Sequence, residues 1–154
     1  MAETSNIVRK YVDNSPFGSM HLPVGSSTIL AVNDLIARSA GSAIADLGAI
    51  ANFVGVSNGM STLGDVFKIQ VYLRSICTIT VASAGYAIGA DLKRLAGANG
   101  TAWSLQAATS GTDAFAWSRE YTASATSLDV LFDSYMTGNA LANEGLFNTS
   151  TNAA

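Results

Sequence analysis

The chain is short of the residues that chemistry needs. It has one histidine, His21, and one cysteine, Cys77, among 154 residues. A single cysteine excludes an intrachain disulfide, and one His with one Cys cannot furnish a tetrahedral zinc set. A nucleophilic thiol needs a base beside it, and His21 falls in an N-terminal stretch expected to be irregular. Alternation through Leu73–Val81 instead puts Cys77 on an apolar face with Ile79 and Val81, as a small core residue. Charge is scarce as well, at 12% of residues against about 25% in ordinary soluble domains. The net charge is −3, and the only adjacent basic pairs are Arg9-Lys10 and Lys93-Arg94. Phosphate neutralisation needs a basic footprint, so no nucleic-acid partner is expected. There is no polybasic helix and no apolar run long enough to cross a bilayer, so no membrane partner is expected either. The start, Met1–Asn6, has neither the basic end nor the apolar stretch of a secretory signal, which implies synthesis in a host cytoplasm.

What is present is apolar and small. Apolar residues make up 49% of the chain, and its length suffices for one domain with one real core. With so few charges, Ser, Thr, Asn, Gly and Ala must cover much of the surface. Such a surface is readily buried against another protein, because few charges need desolvating. The alternative is a monomer kept soluble by hydroxyls and amides.

The chain also repeats itself. Phe53–Leu73 reads FVGVSNGMSTLGDVFKIQVYL, and Phe115–Phe132 reads FAWSREYTASATSLDVLF. Phe53–Ser57 aligns with Phe115–Arg119 at an offset of 62 (115 minus 53), and Phe67, Ile69 and Val71 align with Leu128, Val130 and Phe132 at 61 (128 minus 67). Each copy is a short apolar strand, a loop of small polar residues, then an alternating strand. Asn33-Asp34-Leu35 is echoed by Ala90-Asp91-Leu92. A self-similar period of this kind decides architecture, and here it implies an all-β domain made of two similar halves over residues 24–135. Its halves run from about 28 to 81 and 85 to 133. Residues 1–23, which hold both prolines, read as an arm, packed either on its own domain or on a neighbouring subunit. Residues 136–154 read as a tail that orders on a partner.

Several elements follow from local chemistry. Val66–Leu73 alternates strictly and reads as a half-buried strand, continuing into Ile76–Val81 as one long strand or two. Asn58-Gly59 favours a tight turn, and Gly97–Gly100 a hairpin between Leu92–Ala96 and Thr101–Gln106. Thr122–Ser127 reads as a loop before a last strand, Leu128–Phe132. The aspartates Asp34, Asp65, Asp91 and Asp113 fall at turns, where such side chains bond their own backbone. Asp129 and Asp133 lie on the outward face of the last strand with Leu131 between them, a spacing that could suit a cation but lacks a calcium-type loop. No phosphate-binding glycine motif occurs. Trp103 and Trp117 fall in strands, where packing is the default use of an indole. No cofactor, metal site or catalytic residue is expected, and the chain does not read as an enzyme.

One resemblance organises these features. The succession Phe-Val-Gly-Val-Ser, Leu-Gly-Asp-Val, Ala-Gly-Tyr-Ala-Ile-Gly-Ala-Asp-Leu, Asn-Gly, Ala-Phe-Ala-Trp and Leu-Asp-Val-Leu-Phe spans about Thr28 to Phe132. It resembles the small capsid decoration, or cement, proteins of tailed bacteriophages. The resemblance implies a β-barrel or β-tulip domain, commonly trimeric. It implies a position on the outer capsid surface, with the major capsid protein as partner and no catalysis. Candidate contact residues are the apolar side chains outside the repeat: Tyr11, Phe17, Met20, Leu141, Leu146 and Phe147. The alternatives are another virion module, of tail, fibre or baseplate, and a carbohydrate-binding domain, which would need Trp103, Trp117 and Tyr121 exposed.

Overall fold

The computed structural model describes residues 5–24, 30–39, 42–44, 53–59, 68–95, 103–108, 114 and 116–136. Among the described residues there is no helix, and the protein is all-β. Its strands are β1 (Val8–Val12), β2 (Ser19–Pro23), β3 (Leu35–Ser39), β4 (Ser42–Ile44), β5 (Phe53–Ser57), β6 (Lys68–Tyr72), β7 (Arg74–Tyr86), β8 (Asp91–Arg94), β9 (Ser104–Ala107), β10 (Ala116–Ser118) and β11 (Thr122–Asp133).

These strands form two five-stranded units of one topology. The first has the order β2-β6-β5-β3-β4 and the second β7-β11-β10-β8-β9. Replacing β2 by β7, β3 by β8, and so on through β6 and β11, converts one into the other. The second closes into a barrel through a parallel pairing of β7 with β9, Thr80 opposite Ser104 and Val81 opposite Leu105. β1 stands outside both units, paired with β7 along Ser75–Thr78.

Hydrogen bonds fix the equivalence residue by residue. Asn33 N–H donates to Ser57 O (3.0 Å) and Ser57 N–H to Asp34 O (2.9 Å). Correspondingly, Gly89 N–H donates to Ser118 O (2.7 Å) and Ser118 N–H to Ala90 O (3.0 Å). Asn33 and Gly89 both have positive φ, 66° and 79°, which glycine adopts freely and asparagine tolerates. Ser57 is therefore the counterpart of Ser118, an offset of 61 (118 minus 57) rather than 62. Val56 pairs with Tyr72 and Ser57 with Val71, as Trp117 pairs with Leu131 and Ser118 with Val130. Val71 thus corresponds to Val130 at 59 (130 minus 71), two residues away from the offset of 61 that the apolar pattern implies. The two units meet at Leu73, so the long strand Arg74–Tyr86 opens the second unit instead of ending the first.

Packing explains the apolar runs. Inside the first unit Leu22, Val24, Leu30, Ile36, Val54, Ile69, Val71 and Leu73 form one cluster. A second cluster fills the closed barrel with Cys77, Ile79, Leu92, Leu105, Leu128, Val130 and Phe132, and it extends to Leu35, Phe53 and Val56 of the first unit. β5 is consequently buried on both faces, which is why FVGVS is continuous rather than alternating. Phe53 and Phe132 carry the contact, with ring centroids 5.9 Å apart.

Two open alternatives are decided, and other expectations change. Of the two readings of the N-terminal segment, packing on its own domain holds among the described residues: β1 pairs with β7, and β2, which holds His21 in a stretch expected to be irregular, is the first strand of the first unit. Thr122–Ser127 is strand, the start of β11, paired with the far end of β7 through two register irregularities. Both faces of that ribbon carry small polar residues, so no alternation marks it. Asn58 continues the ladder, its N–H donating to Gln70 O (2.9 Å), and the residues that would complete a turn after Gly59 lie outside the described residues. Of the one-strand and two-strand readings of this stretch the second holds, with Leu73 separating β6 from β7. The hairpin over residues 97–100 lies outside the described residues, but the strands it was expected to join, β8 and β9, pair antiparallel as expected.

Candidate docking face

The outer face of the second barrel carries a row of apolar side chains, one exposed and three partly exposed. On β7 the burial pattern puts Ser75, Cys77 and Ile79 inside and Arg74, Ile76 and Thr78 outside. Ile76 lies opposite Leu131 on β11, Leu131 opposite Trp117 on β10, and Trp117 opposite Asp91 on β8. On the other side Ile76 lies opposite Tyr11 of β1. Directly opposed residues share a face, so Tyr11, Ile76, Leu131 and Trp117 form one line across four strands.

Tyr11 joins that line because of a β-bulge. Arg9 pairs with Cys77 and Tyr11 with Ile76, leaving Lys10 as the extra residue. Regular pairing would put Lys10 opposite Ile76 and turn Tyr11 inward. The bulge re-aims it outward, where it is 68% exposed. Beside it a depression of about 230 Å³ is lined by Tyr11, Val12, Asp13, Arg74, Ser75, Ile76 and Leu131.

Charged groups border the row on both sides. On one side Lys10 Nζ meets Asp129 Oδ2 at 2.9 Å, and the Thr78 hydroxyl donates to Asp129 Oδ1 at 2.6 Å. The Thr78 hydrogen bond, then Lys10, holds the Asp129 carboxyl below its ordinary pKa, and the same contact raises Lys10. On the other side Arg74 Nε donates to Asp133 Oδ1 (3.3 Å), Arg74 Nη1 lies 3.6 Å from Asp13 Oδ2, and the guanidinium sits 4.6 Å from the Tyr135 ring centroid. The Asp13 carboxyl is held below its ordinary value, first by the Ser15 N–H and hydroxyl. Asp129 and Asp133 are thus committed to separate cations and do not jointly face an ion. An apolar strip inside a charged rim is the anatomy of a protein–protein contact.

A second polar cluster joins the two units. Asp34, buried, accepts the Ala31 N–H on Oδ2 (2.7 Å) and the Trp103 indole N–H on Oδ1 (3.1 Å). Ser57 Oγ accepts the Asp34 N–H (3.0 Å) and donates to Ala31 O (2.7 Å). The Asn6 side chain holds the Trp103 backbone at both N–H and C=O, each at 2.8 Å. Burial raises the Asp34 carboxyl above its ordinary value. This is a structural joint, with every donor facing an acceptor.

The candidate residues separate clearly. Tyr11 and Phe17 are exposed, at 68% and 63%. Met20 is not free for docking, because it packs against the core of the first unit. Leu141, Leu146 and Phe147 lie outside the described residues. Sequence reasoning missed Ile76, Trp117, Ile88 and Tyr121 as surface residues. Period-two alternation from the buried Cys77 already placed Ile76 outward, but Trp117 looked like core. Trp103 is fully buried and Trp117 only partly exposed, with its N–H tied to Asp91 (2.9 Å). The three exposed aromatics required for sugar stacking are therefore not present. Cys77 is buried, and burial pushes its thiol up to about 11. Among the described residues no three His, Cys, Asp or Glu side chains converge on a point.

No family model matches the chain, and no curated protein matches it. Among solved structures it is similar to one described as the crystal structure of the head fiber gp8.5 N base in bacteriophage phi29. The match has 12% identity and a TM-score of 0.45, and covers 75% of this chain and 94% of that one.

Proposed function

We propose that this chain is a structural protein of a tailed-phage virion that decorates the outer surface of the capsid and acts by binding the major capsid protein. The observation that carries the reading is the row Tyr11–Ile76–Leu131–Trp117, apolar and outward-facing between two charged borders. The resemblance over residues 28–132 supplies the class of partner. The polar clusters described are used up in holding the fold together.

The physical action is linkage. A clamp that binds only the assembled shell stabilises it by RT ln(1 + [L]/Kd), about 4 kcal/mol per site at a thousandfold excess over Kd. Tyr11, with the depression beside it, and Phe17 are the contact points. Low surface charge keeps the desolvation cost of that contact small.

Co-sedimentation with expanded capsids stripped of this protein tests the proposal. Saturable binding at a fixed ratio to capsid subunits is expected. Tyr11→Ser combined with Phe17→Ser is expected to lower affinity at least tenfold while the melting temperature stays within about 1 °C, since exposed side chains contribute little to stability. Absence of binding by the unaltered chain at high excess would sink the capsid reading.

A further inference from the structure

The bulge that turns Tyr11 outward is imposed from its two ends. Arg9 lies opposite Cys77, and the Asp13 N–H donates to Arg74 O (3.1 Å). Between these anchors the β1 side takes four steps (13 minus 9) and β7 takes three (77 minus 74), so one residue must bulge. The first anchor is set in the core. Ile7 is buried, Arg9 Nη1 donates to Ser57 O (3.3 Å), and the guanidinium lies 4.9 Å from the Tyr72 ring centroid. The second anchor is set by charge. Arg74 Nη1 lies 3.6 Å from Asp13 Oδ2, and Asp13 Oδ1 accepts the Ser15 N–H (2.9 Å). The turn that follows closes over it. Gly18 N–H donates to Ser15 O (2.9 Å), and a Cβ added at Gly18 would run into the Asp13 backbone.

Arg74 is held in turn by the end of β11. Its Nε donates to Asp133 Oδ1 (3.3 Å), and its guanidinium lies 4.6 Å from the Tyr135 ring centroid. The same Asp133 oxygen accepts the Tyr135 N–H (2.9 Å), so one carboxylate orients both. The Tyr135 hydroxyl then donates to Phe17 O (2.7 Å). One guanidinium therefore reaches both exposed aromatic contact points, Tyr11 through Asp13 and Phe17 through Tyr135. A side chain that must be ordered at the moment of contact costs affinity, so a contact point gains from being held beforehand.

We infer that Asp13, Arg74 and Tyr135 are positioning residues of the docking face: their cluster fixes the extra residue of β1, and with it the outward aim of Tyr11, and pins the backbone under Phe17. The inference rests on the decoration reading for what Tyr11 and Phe17 touch, whereas the positioning is a property of the free chain. Lys10, the bulged residue itself, does not set the aim. Its ion pair with Asp129 is exposed, and exposed pairs hold little, while the mismatch of four steps against three persists without it.

Nuclear magnetic resonance of the full chain tests this without capsids. The Tyr11 ring protons of the unaltered chain are expected to show Overhauser contacts with the Ile76 methyl groups. Asp13→Ala is expected to lose those contacts and to speed amide exchange at residue 13 about tenfold, with the β11 amides unchanged. Asp13→Asn keeps an acceptor for the Ser15 N–H but no charge for Arg74, and is expected to shift both readings the same way. Tyr135→Phe keeps the ring over Arg74 and removes only the hydroxyl, so exchange at Gly18 is expected to speed up about threefold. Lys10→Met is expected to leave the Tyr11 contacts in place. Contacts that survive Asp13→Ala, or that are lost in Lys10→Met, would overturn the inference. Capsid co-sedimentation adds a reading that a merely structural role would not move. Asp13→Ala is expected to weaken binding about threefold in the unaltered chain and not at all beside Tyr11→Ser with Phe17→Ser; equal losses in both would also overturn the inference. Should the unaltered chain fail to bind capsids while the resonance outcomes hold, the decoration reading fails and the positioning stands.

Discussion

Replacing Asp34 by Ala should damage the joint between the two units more than any single surface change. Asp34 is 3% exposed and its two oxygens serve two buried donors, the Ala31 N–H and the Trp103 indole N–H. Alanine leaves both without an acceptor. Each buried orphan costs about 1–3 kcal/mol, so the substitution should cost about 2–6 kcal/mol. At about 3 °C per kcal/mol for a chain of this size, Tm should fall by about 6–18 °C. The indole share is isolated by a double-mutant cycle with Trp103→Phe, which removes the N–H but keeps a large ring. In that background Asp34→Ala should cost about 1–2 kcal/mol less than in the unaltered chain. Urea unfolding followed by far-ultraviolet circular dichroism suits the measurement, since it does not depend on the removed fluorophore. Equal costs in both backgrounds would show that the Asp34–Trp103 bond does not couple the units. A pH arm adds an independent reading. Burial raises the Asp34 pKa in the folded protein, so the folded state takes up a proton before the unfolded chain does. Stability from this group is full below the unfolded pKa and is lost as pH rises through the folded one. Asp34→Asn should remove that part of the pH dependence.

Four further outcomes are expected. Cys77, with a buried thiol raised to about 11, should resist Ellman's reagent at pH 8 in the folded protein and react fully in urea; rapid reaction of the folded form would contradict its burial. Thr78→Val should move the Asp129 carboxyl back up toward its ordinary value, because the Thr78 hydroxyl is the first cause of its depression. Asp129 stabilises the fold above the ordinary carboxylate pKa and loses this as pH falls through its depressed one, so the variant should lose stability earlier on acidification, read by a carbon-13 carboxyl titration. Gly55→Ala should cost about 3 kcal/mol by overpacking, because an added Cβ would lie 1.9 Å from Tyr72 O; Ala116→Gly, at the equivalent position where a Cβ already fits, should cost only about 1 kcal/mol. Ile7→Ala should cost about 2–5 kcal/mol, since Ile7 is 1% exposed; an unchanged Tm would restore the arm reading of the N-terminus.

The repeat was legible because it is carried by residues with little freedom. The apolar runs Phe53–Ser57 and Phe115–Arg119 and the alternation of β6 and β11 disclosed two similar halves, but the equivalences Ser57 with Ser118 and Asn33 with Gly89, which replace Ser57 with Arg119 and Asn33 with Ala90, are set by backbone hydrogen bonds that letters do not show. The exact register was not legible. The connections between equivalent strands differ in length, and matching apolar letters slides by one or two residues without penalty. The docking row was half legible. Leu131 between Asp129 and Asp133 was visibly outward, but whether the opposing strands also exposed apolar residues depends on β10 pairing with β11, a contact across the chain. Tyr11 was legible as unexplained, not as a member of that row, because a single bulged residue at Lys10 decides which way it points. Thr122–Ser127 was invisible as strand, since its own residues are small and mostly polar and the large buried side chain of its partner segment, Tyr86, lies on the other strand.

Two units of one topology would ordinarily expose the same surface twice, and here they do not. The first unit's turn and strand row are occupied by Ser5, Ile7, Arg9 and the second barrel, while the second unit's are open. The residues have diverged accordingly. Leu35, Val56 and Tyr72 in the covered row become Asp91, Trp117 and Leu131 in the open one, where a carboxylate holds the indole edge and keeps the row compatible with water. Asn33, whose side chain grips Ile7, becomes Gly89, which keeps the positive φ and drops the grip. Ile88 and Tyr121 stand exposed and Trp117 and Leu131 partly so on that side of the second unit, and a contiguous apolar surface on a chain with few charges is the physical ground for proposing it as a contact with another protein.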